Sequence, residues 1–209
     1  MAFYTHRDFF LVTVIGFVVG WLVLLPLTAT KLLLVTPSIA IGSVIGFSAF
    51  APLALFVLGR IARRMPVIGQ FGKFAAVGTL NTLLNFAVFN TLILWTGVSV
   101  GWAYSGFVAL AFLVATTNSY FWNKFWTFGS GQPVSSEEYA RFALFTLGGA
   151  LLNVGAASLV VNVIGAPSGI GAALWANVGG LCGVAVSFLW NFIAYRRIVF
   201  KSEARNPKL

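Results

Sequence analysis

Residues 118–128 read NSYFWNKFWTF, and residues 187–200 read SFLWNFIAYRRIVF. Each stretch closes a long apolar run with asparagine, aromatic residues and cations, in a chain of which only 8% is charged. Residues 119–123 coincide with residues 187–191 at a shift of 187 − 119 = 68. This repetition predicts that the two stretches play matching roles in two copies of one unit.

The beginnings of the two units repeat as well. Phe71-Gly-Lys-Phe74 aligns with Tyr139-Ala-Arg-Phe142 at the shift of 139 − 71 = 68, which also carries Asn85 onto Asn153. Residues 124–128 align with 196–200 at a shift of 196 − 124 = 72, and the extra four residues are about one helical turn. Each unit holds two apolar runs, so both begin on the same side of a membrane. We predict a parallel two-fold internal repeat of two-helix units.

The composition places the chain in a bilayer. Hydrophobic residues make up 59% of it and the mean hydropathy is +0.95, which leaves no polar shell to cover a soluble core. A span needs about 20 apolar residues. Six such segments lie near 9–29, 38–59, 71–95, 102–123, 141–163 and 171–195. We expect an all-α integral membrane protein with six transmembrane helices, the first retained as a span rather than cleaved as a signal peptide.

The charges orient these spans. With six spans, all of the thirteen Lys and Arg residues except Lys31 fall on one side. The positive-inside rule makes that side the cytoplasm, so we expect a multi-pass protein of the cytoplasmic (inner) membrane with both termini cytoplasmic. Most of the net charge of +9 then serves to orient the spans and to attract anionic lipids. Nucleic-acid binding is not predicted, because nothing resembles a soluble nucleic-acid module.

The same patterns divide the chain into three parts. Residues 1–70 form a two-helix membrane extension with a basic linker, residues 71–201 a four-helix core with repeats 71–128 and 139–200, and residues 202–209 a cytoplasmic tail. For the extension we expect only a packing or dimer interface. Close helix packing is predicted at three G-x-x-x-G pairs, which are Gly16/Gly20, Gly42/Gly46 and Gly179/Gly183.

Polar residues form stripes on the core helices. Lys73, Asn81 and Asn85 are eight and four residues apart, which puts them on one helix face, and Arg141, Gly149 and Asn153 repeat the stripe. A buried asparagine in lipid is costly unless its amide is satisfied, so these residues should point into the bundle. Two hypotheses remain: interhelical hydrogen bonding alone, or a path for a polar headgroup.

Cations close the core at one membrane face. Lys73, Lys124, Arg141 and Arg196, with the adjacent Arg197, predict a ring-like site for a phosphate. The alternative is that they anchor the helix ends at the interface beside an aromatic belt. The predicted sugar and headgroup path comprises amides for hydroxyl groups and aromatic faces for a sugar ring: Asn81, Asn85, Asn118, Asn123, Asn153, Asn177, Asn191, Trp122, Trp126, Tyr120 and Tyr195.

Catalytic groups are scarce. The acids are Asp8, Glu137, Glu138 and Glu203, all outside the predicted spans, which disfavours proton-coupled drug export. The single histidine, His6, has no acid pair or metal cluster in the spans. We therefore expect no catalytic residues, no metal site, no cofactor and no enzymatic activity.

The unit that begins FGKFAAVGTLNTLLN (71–85) and ends NSYFWNKFWTF (118–128) resembles the GtrA family over about residues 71–201. The resemblance implies a flippase that moves a polyprenyl-phosphate-linked monosaccharide from the cytoplasmic to the outer leaflet for cell-envelope polysaccharide glycosylation. It implies functional roles for Asn85, Asn118, Lys124, Trp126, Asn153 and Arg196. Two departures are residues 1–70, which lie outside the four-span form, and Lys124, where the family usually has arginine.

We expect three partners: the polyprenyl-phosphate sugar lipid, anionic lipids and a membrane glycosyltransferase. A homo-oligomer is left open. Two alternatives remain. One is a non-transporting membrane anchor that recruits a glycosyltransferase, and the other is a relative of the small multidrug resistance transporters. The sequence leaves open the sugar, the prenyl length and any coupling to an energy source.

Overall fold

The computed structural model describes residues 3–25, 34–98, 101–169 and 172–200, and within them the fold is all helical. Six α-helices occur in these residues, and we label them in chain order. They are α1 (His6–Leu22), α2 (Pro37–Ala62), α3 (Pro66–Thr96), α4 (Gly101–Trp122), α5 (Ser136–Ser158) and α6 (Ala172–Ala194). Three π-helical turns follow α4, α5 and α6 directly: π1 (Asn123–Thr127), π2 (Leu159–Ile164) and π3 (Tyr195–Val199).

Local sequence signals fix the helix ends. Thr5 caps α1 by accepting a hydrogen bond from the backbone of Asp8, whose carboxylate bonds back to the backbone of Thr5, which is a complete capping box. Pro66 is the first residue of α3, where its missing N–H costs nothing. Gly97 ends α3 with a φ of 69°, a left-handed conformation that favours glycine.

Several helices can cross a membrane by length and composition. Among the described residues these are Pro37–Ala62, Pro66–Thr96 and Ser136–Ile164. Large apolar side chains are turned outward on the helices, with Trp102 94%, Trp95 83% and Leu151 75% exposed. Apolar surface on this scale is suited to lipid rather than water. The prediction of an all-α membrane protein is confirmed, while the count of six spans stays a prediction.

The first of two compact units ends at Thr127. Helix α1 packs on α2 and α3, and α3 packs on α4. Its core contains Val12, Ile15, Val19, Leu55, Val77 and Leu80. Helices α3 and α4 are antiparallel, because Lys73 near the start of α3 lies beside Trp126, and Asn81 farther along α3 contacts Asn118 of α4.

The second unit begins at Phe128 and contains α5 and α6. These helices are also antiparallel, since Thr146 bonds Tyr195 near one end and Trp175 bonds the Val160 carbonyl near the other. Aromatic rings pack together at the Tyr195 end: Phe128, Phe142, Phe192, Tyr195 and Phe200. Because all five are buried, this end is held by ring packing.

Glycine packing was predicted at three pairs, and the structure confirms two. A Cβ added at Gly16 or Gly20 would collide with the backbone of α2, and one added at Gly183 would collide with the carbonyl of Asn153. These glycines therefore let helix backbones approach closely. Gly42 and Gly46 do not pack against the described part of this chain, because a Cβ at either position would meet nothing within 4 Å, and a dimer interface on this face stays a prediction. The surface of α2 that packs against α1 is a different one, around Val44 and Phe47.

The two repeated sequence motifs both end in a π-helical turn. The turns begin at Asn123 and Tyr195, an offset of 195 − 123 = 72 residues. The same offset aligns the ends of the two motifs in the sequence. A π-turn widens the helix by one residue per turn, so it re-aims the side chains that follow. The predicted domain bounds stay predictions, and the tail 202–209 lies outside the described residues.

Candidate functional site

The candidate site begins with the capping box of α1. Thr5 donates to Oδ2 of Asp8 twice, from its backbone N at 2.9 Å and from its Oγ1 at 3.0 Å. This box turns the Asp8 carboxylate toward α3 rather than toward the solvent at the helix end. Asp8 is only 6% exposed. The first turn of α1 therefore supplies a buried anion.

Two groups of the core bind the other carboxylate oxygen. Nζ of Lys73 lies 2.5 Å from Oδ1 of Asp8, and the indole Nε1 of Trp126 donates to the same oxygen at 2.8 Å. The ammonium also lies 5.5 Å from the Trp126 ring centre and 5.8 Å from that of Tyr4, within the range of cation–π attraction. We call Asp8, Lys73 and Trp126 the charged cluster.

The Asp8 carboxylate of the charged cluster is ionised. Burial by itself would raise the pKa of Asp8, but hydrogen bonds from Lys73, Thr5 and Trp126 outweigh burial and lower that pKa below its ordinary value. Burial and the nearby Asp8 charge raise the pKa of Tyr4 to about 12, so its hydroxyl stays protonated. That hydroxyl donates to the carbonyl of Gly69 at 2.9 Å and ties the N-terminus to α3.

A second polar level lies two helical turns farther along α3. Nδ2 of Asn118 donates to Oδ1 of Asn81 at 2.6 Å, which links α4 to α3. Nδ2 of Asn81 is buried and makes no hydrogen bond with the described residues. Asn81 follows Lys73 by eight residues, and Trp126 follows Asn118 by eight residues, which is about 12 Å of helix in each case. Because the two helices are antiparallel, these equal spacings bring Lys73 beside Trp126 and Asn81 beside Asn118. We call Asn81 and Asn118 the amide pair.

Asn118 of the amide pair also lines a groove. The groove has a volume of about 470 Å³ and is lined by Leu84, Leu113, Val114, Thr117, Asn118 and Phe121. Its walls are mostly apolar, while Asn118 and Thr117 supply polar atoms at one side. A ligand with a polar head and an apolar body fits this distribution.

The π1 turn buries two of the predicted residues completely. Asn123 and Lys124 are both 0% exposed, and Asn123 donates to the Ser119 carbonyl at 2.9 Å and to its hydroxyl at 3.2 Å. Nζ of Lys124 lies 6.0 Å from the centre of the Tyr120 ring, which is also buried. Lys124 is therefore an internal cation of the first unit. An interface anchor would instead extend toward the membrane surface.

The predicted cations of the second unit are placed differently. Arg141 is exposed and pairs with Glu137 at 2.6 Å on its own helix, and Arg196 and Arg197 are exposed on π3. Arg141 and Arg196 do lie at the same end of the α5/α6 pair, next to the aromatic rings. The four-cation ring stays a prediction, with two members described in each unit.

The remaining predicted residues follow the repeat with changes. Asn153 donates to Ser187 at 3.4 Å across α5 and α6, and Tyr195 shares a 2.5 Å hydrogen bond with Thr146. Gly149 replaces the Asn81 of the first unit, and the amide of Asn191 fills the space where its side chain would stand. Trp122 packs edge to face on Trp126 with ring centres 5.6 Å apart.

Two further residues of the predicted path lie on α3 and α6. Asn85 is half-buried on α3, one turn beyond Asn81. Asn177 lies on α6, but its side chain is outside the described part of the chain.

Sequence reasoning missed the central anion. Asp8 was placed among acids outside the spans, and it does precede the predicted span 9–29, yet it is buried against the core. The motif Thr5-x-x-Asp8 before an apolar run is a local signal for a capped first turn. No local signal pairs Asp8 with Lys73, because that contact depends on the packing of α1 on α3. No cluster of three or more His, Cys, Asp or Glu occurs in the residues searched, which are the described ones.

The region that contains these two helix pairs resembles a known protein family. The sequence profile of the family described as GtrA/DPMS, transmembrane domain, matches residues 73–200, more than half of the chain. The chain belongs to the GtrA/DPMS transmembrane domain family. The GtrA/DPMS match begins at Lys73 and ends at Phe200, so it includes both π-turns that close the repeated motifs. It leaves Asp8 and helices α1 and α2 outside.

One relative is similar over most of its length. It is described as "Uncharacterized membrane protein YngA" from Bacillus subtilis (strain 168), and it is 28% identical over 152 residues, which are 73% of this chain and 93% of the relative. No solved structure matches the chain. The resemblance to the GtrA family is thus confirmed at the level of the domain, and the chain is a helical membrane protein of that family.

Proposed function

We propose that this protein translocates a polyprenyl-phosphate-linked monosaccharide from the cytoplasmic to the outer leaflet for cell-envelope glycosylation. The observation that carries the proposal is the ladder of polar groups between α3 and α4. The charged cluster and the amide pair are eight residues apart both on α3 and along α4 and π1, in a helix pair that is mostly apolar. Such polar groups in a bilayer mark a path for a polar ligand.

Each level of the ladder suits one part of the ligand. Lys73 and Trp126 offer an ammonium and an indole N–H to an anionic oxygen, and Asn81 has a free amide N–H to offer a sugar hydroxyl. The groove beside Asn118 takes apolar chain. The lipid phosphate would bind at the first level and the sugar would pass the second, while the prenyl chain stays in lipid.

The topology belongs to the same proposal. Six spans, a parallel two-fold repeat and cytoplasmic termini put the charged cluster at the cytoplasmic face, where the lipid-linked sugar is made. The matching offset of the two π-turns supports the repeat. We further propose that the protein is not an enzyme, that consumption outside drives direction, and that a membrane glycosyltransferase is the partner that consumes the sugar.

Transport in liposomes tests the proposal. Purified protein is reconstituted with a short-chain polyprenyl-phosphate sugar, and the transbilayer movement is timed. We expect Asn81→Ala and Asn118→Ala to slow movement about three- to tenfold, the worth of one hydrogen bond to the sugar. Asn90→Ala is the matched control, because Asn90 lies on the same helix but bonds its own Phe86 carbonyl at 2.7 Å. Equal rates for all three variants and wild type would contradict the path.

Lys124 needs a different substitution. An alanine at this fully buried position would leave a cavity and confuse folding with transport. Lys124→Met keeps the volume and removes the charge, while Lys124→Arg keeps the charge. If Lys124 binds phosphate, the methionine variant loses movement and the arginine variant retains it. Equal rates in the two variants would remove Lys124 from the mechanism.

A non-transporting recruiter of a glycosyltransferase is the second candidate. The observation that favours it is the exposure of Arg141, Arg196 and Arg197 at one end of the second unit, where charged side chains reach a soluble surface. Deletion of the protein should then release a glycosyltransferase from the membrane fraction. Normal retention of the enzyme together with lost outer-leaflet sugar would reject the recruiter.

A further inference from the structure

The charged cluster joins the region that matches the family to a helix that precedes it. Lys73 and Trp126 lie in the region that matches the family, and Asp8 lies in the helix that precedes it. Asp8 brings a carboxylate oxygen to the point where the ammonium of Lys73 and the indole N–H of Trp126 converge. The donors of the family region are therefore already bound to an anion of the same chain.

The carboxylate has the chemistry of the expected ligand. A phosphate oxygen, like a carboxylate oxygen, carries negative charge and accepts short, charge-assisted hydrogen bonds from N–H donors. Both donors reach the single oxygen Oδ1. A lipid phosphate and Asp8 cannot both occupy that position, because two anions in contact in a buried site repel each other.

Helix α1 is also held by contacts that do not use Oδ1 of Asp8. The second oxygen of Asp8 is held by Thr5 in the capping box, on the side of α1 itself. Farther along, α1 is fixed to α2 by the close contacts at Gly16 and Gly20, and Tyr4 is fixed to Gly69. These contacts do not involve the Asp8 carboxylate. The anion therefore sits on a helix that keeps other contacts to α2 and α3 when the Asp8 contact is broken.

We propose that Asp8 is a tethered competitor for the phosphate site formed by Lys73 and Trp126. This inference rests on the proposed function, which supplies the lipid phosphate as the ligand. In the resting protein Asp8 neutralises Lys73 and closes the site to stray anions. A ligand must displace Asp8, so its apparent affinity falls by the fraction of time that the site is open. The helix added before the family domain thus sets the affinity of that domain for its ligand.

Binding measured at Trp126 tests the proposal. The chain has seven tryptophans. Protein labelled with ¹⁵N-tryptophan in micelles is titrated with farnesyl phosphate, and the Trp126 indole resonance is assigned with Trp126→Phe. We expect Asp8→Asn to bind farnesyl phosphate about tenfold more tightly than wild type. This factor corresponds to a competitor that closes the site for about nine-tenths of the time. Lys73→Gln should lose this binding.

A matched control separates competition at Lys73 from the effect of removing any negative charge from the protein. Glu137→Gln removes an exposed carboxylate that pairs with Arg141 in the second unit and does not touch Lys73. It should bind farnesyl phosphate as wild type does. Inorganic phosphate is titrated in parallel, and a response to it equal to that of farnesyl phosphate would assign the site to free phosphate rather than to a lipid headgroup.

Other outcomes overturn the proposal. Equal affinity of wild type and Asp8→Asn, or no binding to either, rejects competition. If Asp8→Asn does not fold, the titration of wild type decides between the outcomes. Displacement of Asp8 requires the Trp126 resonance to move when wild type is saturated with farnesyl phosphate. A resonance that does not move although the ligand is bound rejects the proposal. Tight binding to Asp8→Asn without movement of lipid across liposomes by either protein would refute the proposed transport and leave the competitor standing.

Discussion

The indole nitrogen of Trp126 donates a 2.8 Å hydrogen bond to Oδ1 of Asp8 across 118 residues of chain. The same oxygen lies 2.5 Å from Nζ of Lys73, so one atom joins α1, α3 and π1. A helix outside the matched family region is thereby fastened to the end of the first repeated motif.

Loss of the Asp8 charge should destabilise the first unit. Removal of one partner from a buried ion pair costs roughly 3–5 kcal/mol, and Lys73 keeps 17% of its side chain exposed, so we expect about 2 kcal/mol for Asp8→Asn. Unfolding by denaturant in micelles measures the change. Glu137→Gln, which breaks an exposed pair, should cost less than about 0.5 kcal/mol.

A double variant tests whether this cost comes from the unpaired lysine. Because Asp8→Asn leaves the Lys73 charge without its anion, Lys73→Met in the same chain should recover most of the lost stability. An additive loss in the double variant would show that Asp8 stabilises the fold through its cap on α1 instead.

The charged cluster should also make stability depend on pH. The folded-state pKa of Asp8 is lowered, so its contribution is present above its unfolded pKa of about 3.9 and is lost as pH falls through the folded value. Lys73 and Tyr4 face Asp8, and the raised pKa of Tyr4 keeps its hydroxyl protonated in this acid range, so Tyr4 does not oppose the trend. The stability difference between wild type and Asp8→Asn should be constant near pH 7 and shrink below about pH 4. A difference that grows in acid would contradict an ionised Asp8.

Glycines on α1 and α2 should respond in opposite ways to alanine. Gly16→Ala places a methyl group against the backbone of α2, which we expect to cost about 1–3 kcal/mol or to move the helices apart. Gly42→Ala points into open space and should be neutral or slightly stabilising, since alanine favours helix. Thermal unfolding of the two variants, side by side in one detergent, measures the contrast. A destabilised Gly42→Ala would indicate a partner on that face.

Adjacent glycines on α5 offer a second contrast. A Cβ at Gly149 would collide with the amide of Asn191, whereas one at Gly148 would lie 3.4 Å from the indole nitrogen of Trp190, which needs only a small shift. We expect Gly149→Ala to cost about 1–3 kcal/mol and Gly148→Ala clearly less. Unfolding in micelles checks both. Recovery of Gly149→Ala by Asn191→Ala would identify the collision as the cause, and its failure would place the cause elsewhere.

Local patterns predicted much of the helical framework. The apolar runs predicted long helices because burial of hydrogen-bonded backbone in lipid requires them. The helix ends at Thr5, Pro66 and Gly97 were not predicted, although each of these residues is a local signal for a helix end. The eight-residue spacing of Lys73 and Asn81 placed both on one face of α3, and Asn118 and Trp126 have the same spacing around the end of α4. The π-turns were not predicted, although the change of offset from 68 to 72 residues lies next to them.

The sequence by itself determined that this is a helical membrane protein of the GtrA/DPMS domain family, because composition, periodicity and motif spacing are local properties of the chain. Only the tertiary structure decided which charges meet. A carboxylate near the N-terminus could remain in water or pair with any cation at the same membrane face. The packing of α1 on α3 excludes water from Asp8, and a buried carboxylate stays ionised there because Lys73, Trp126 and Thr5 bind it.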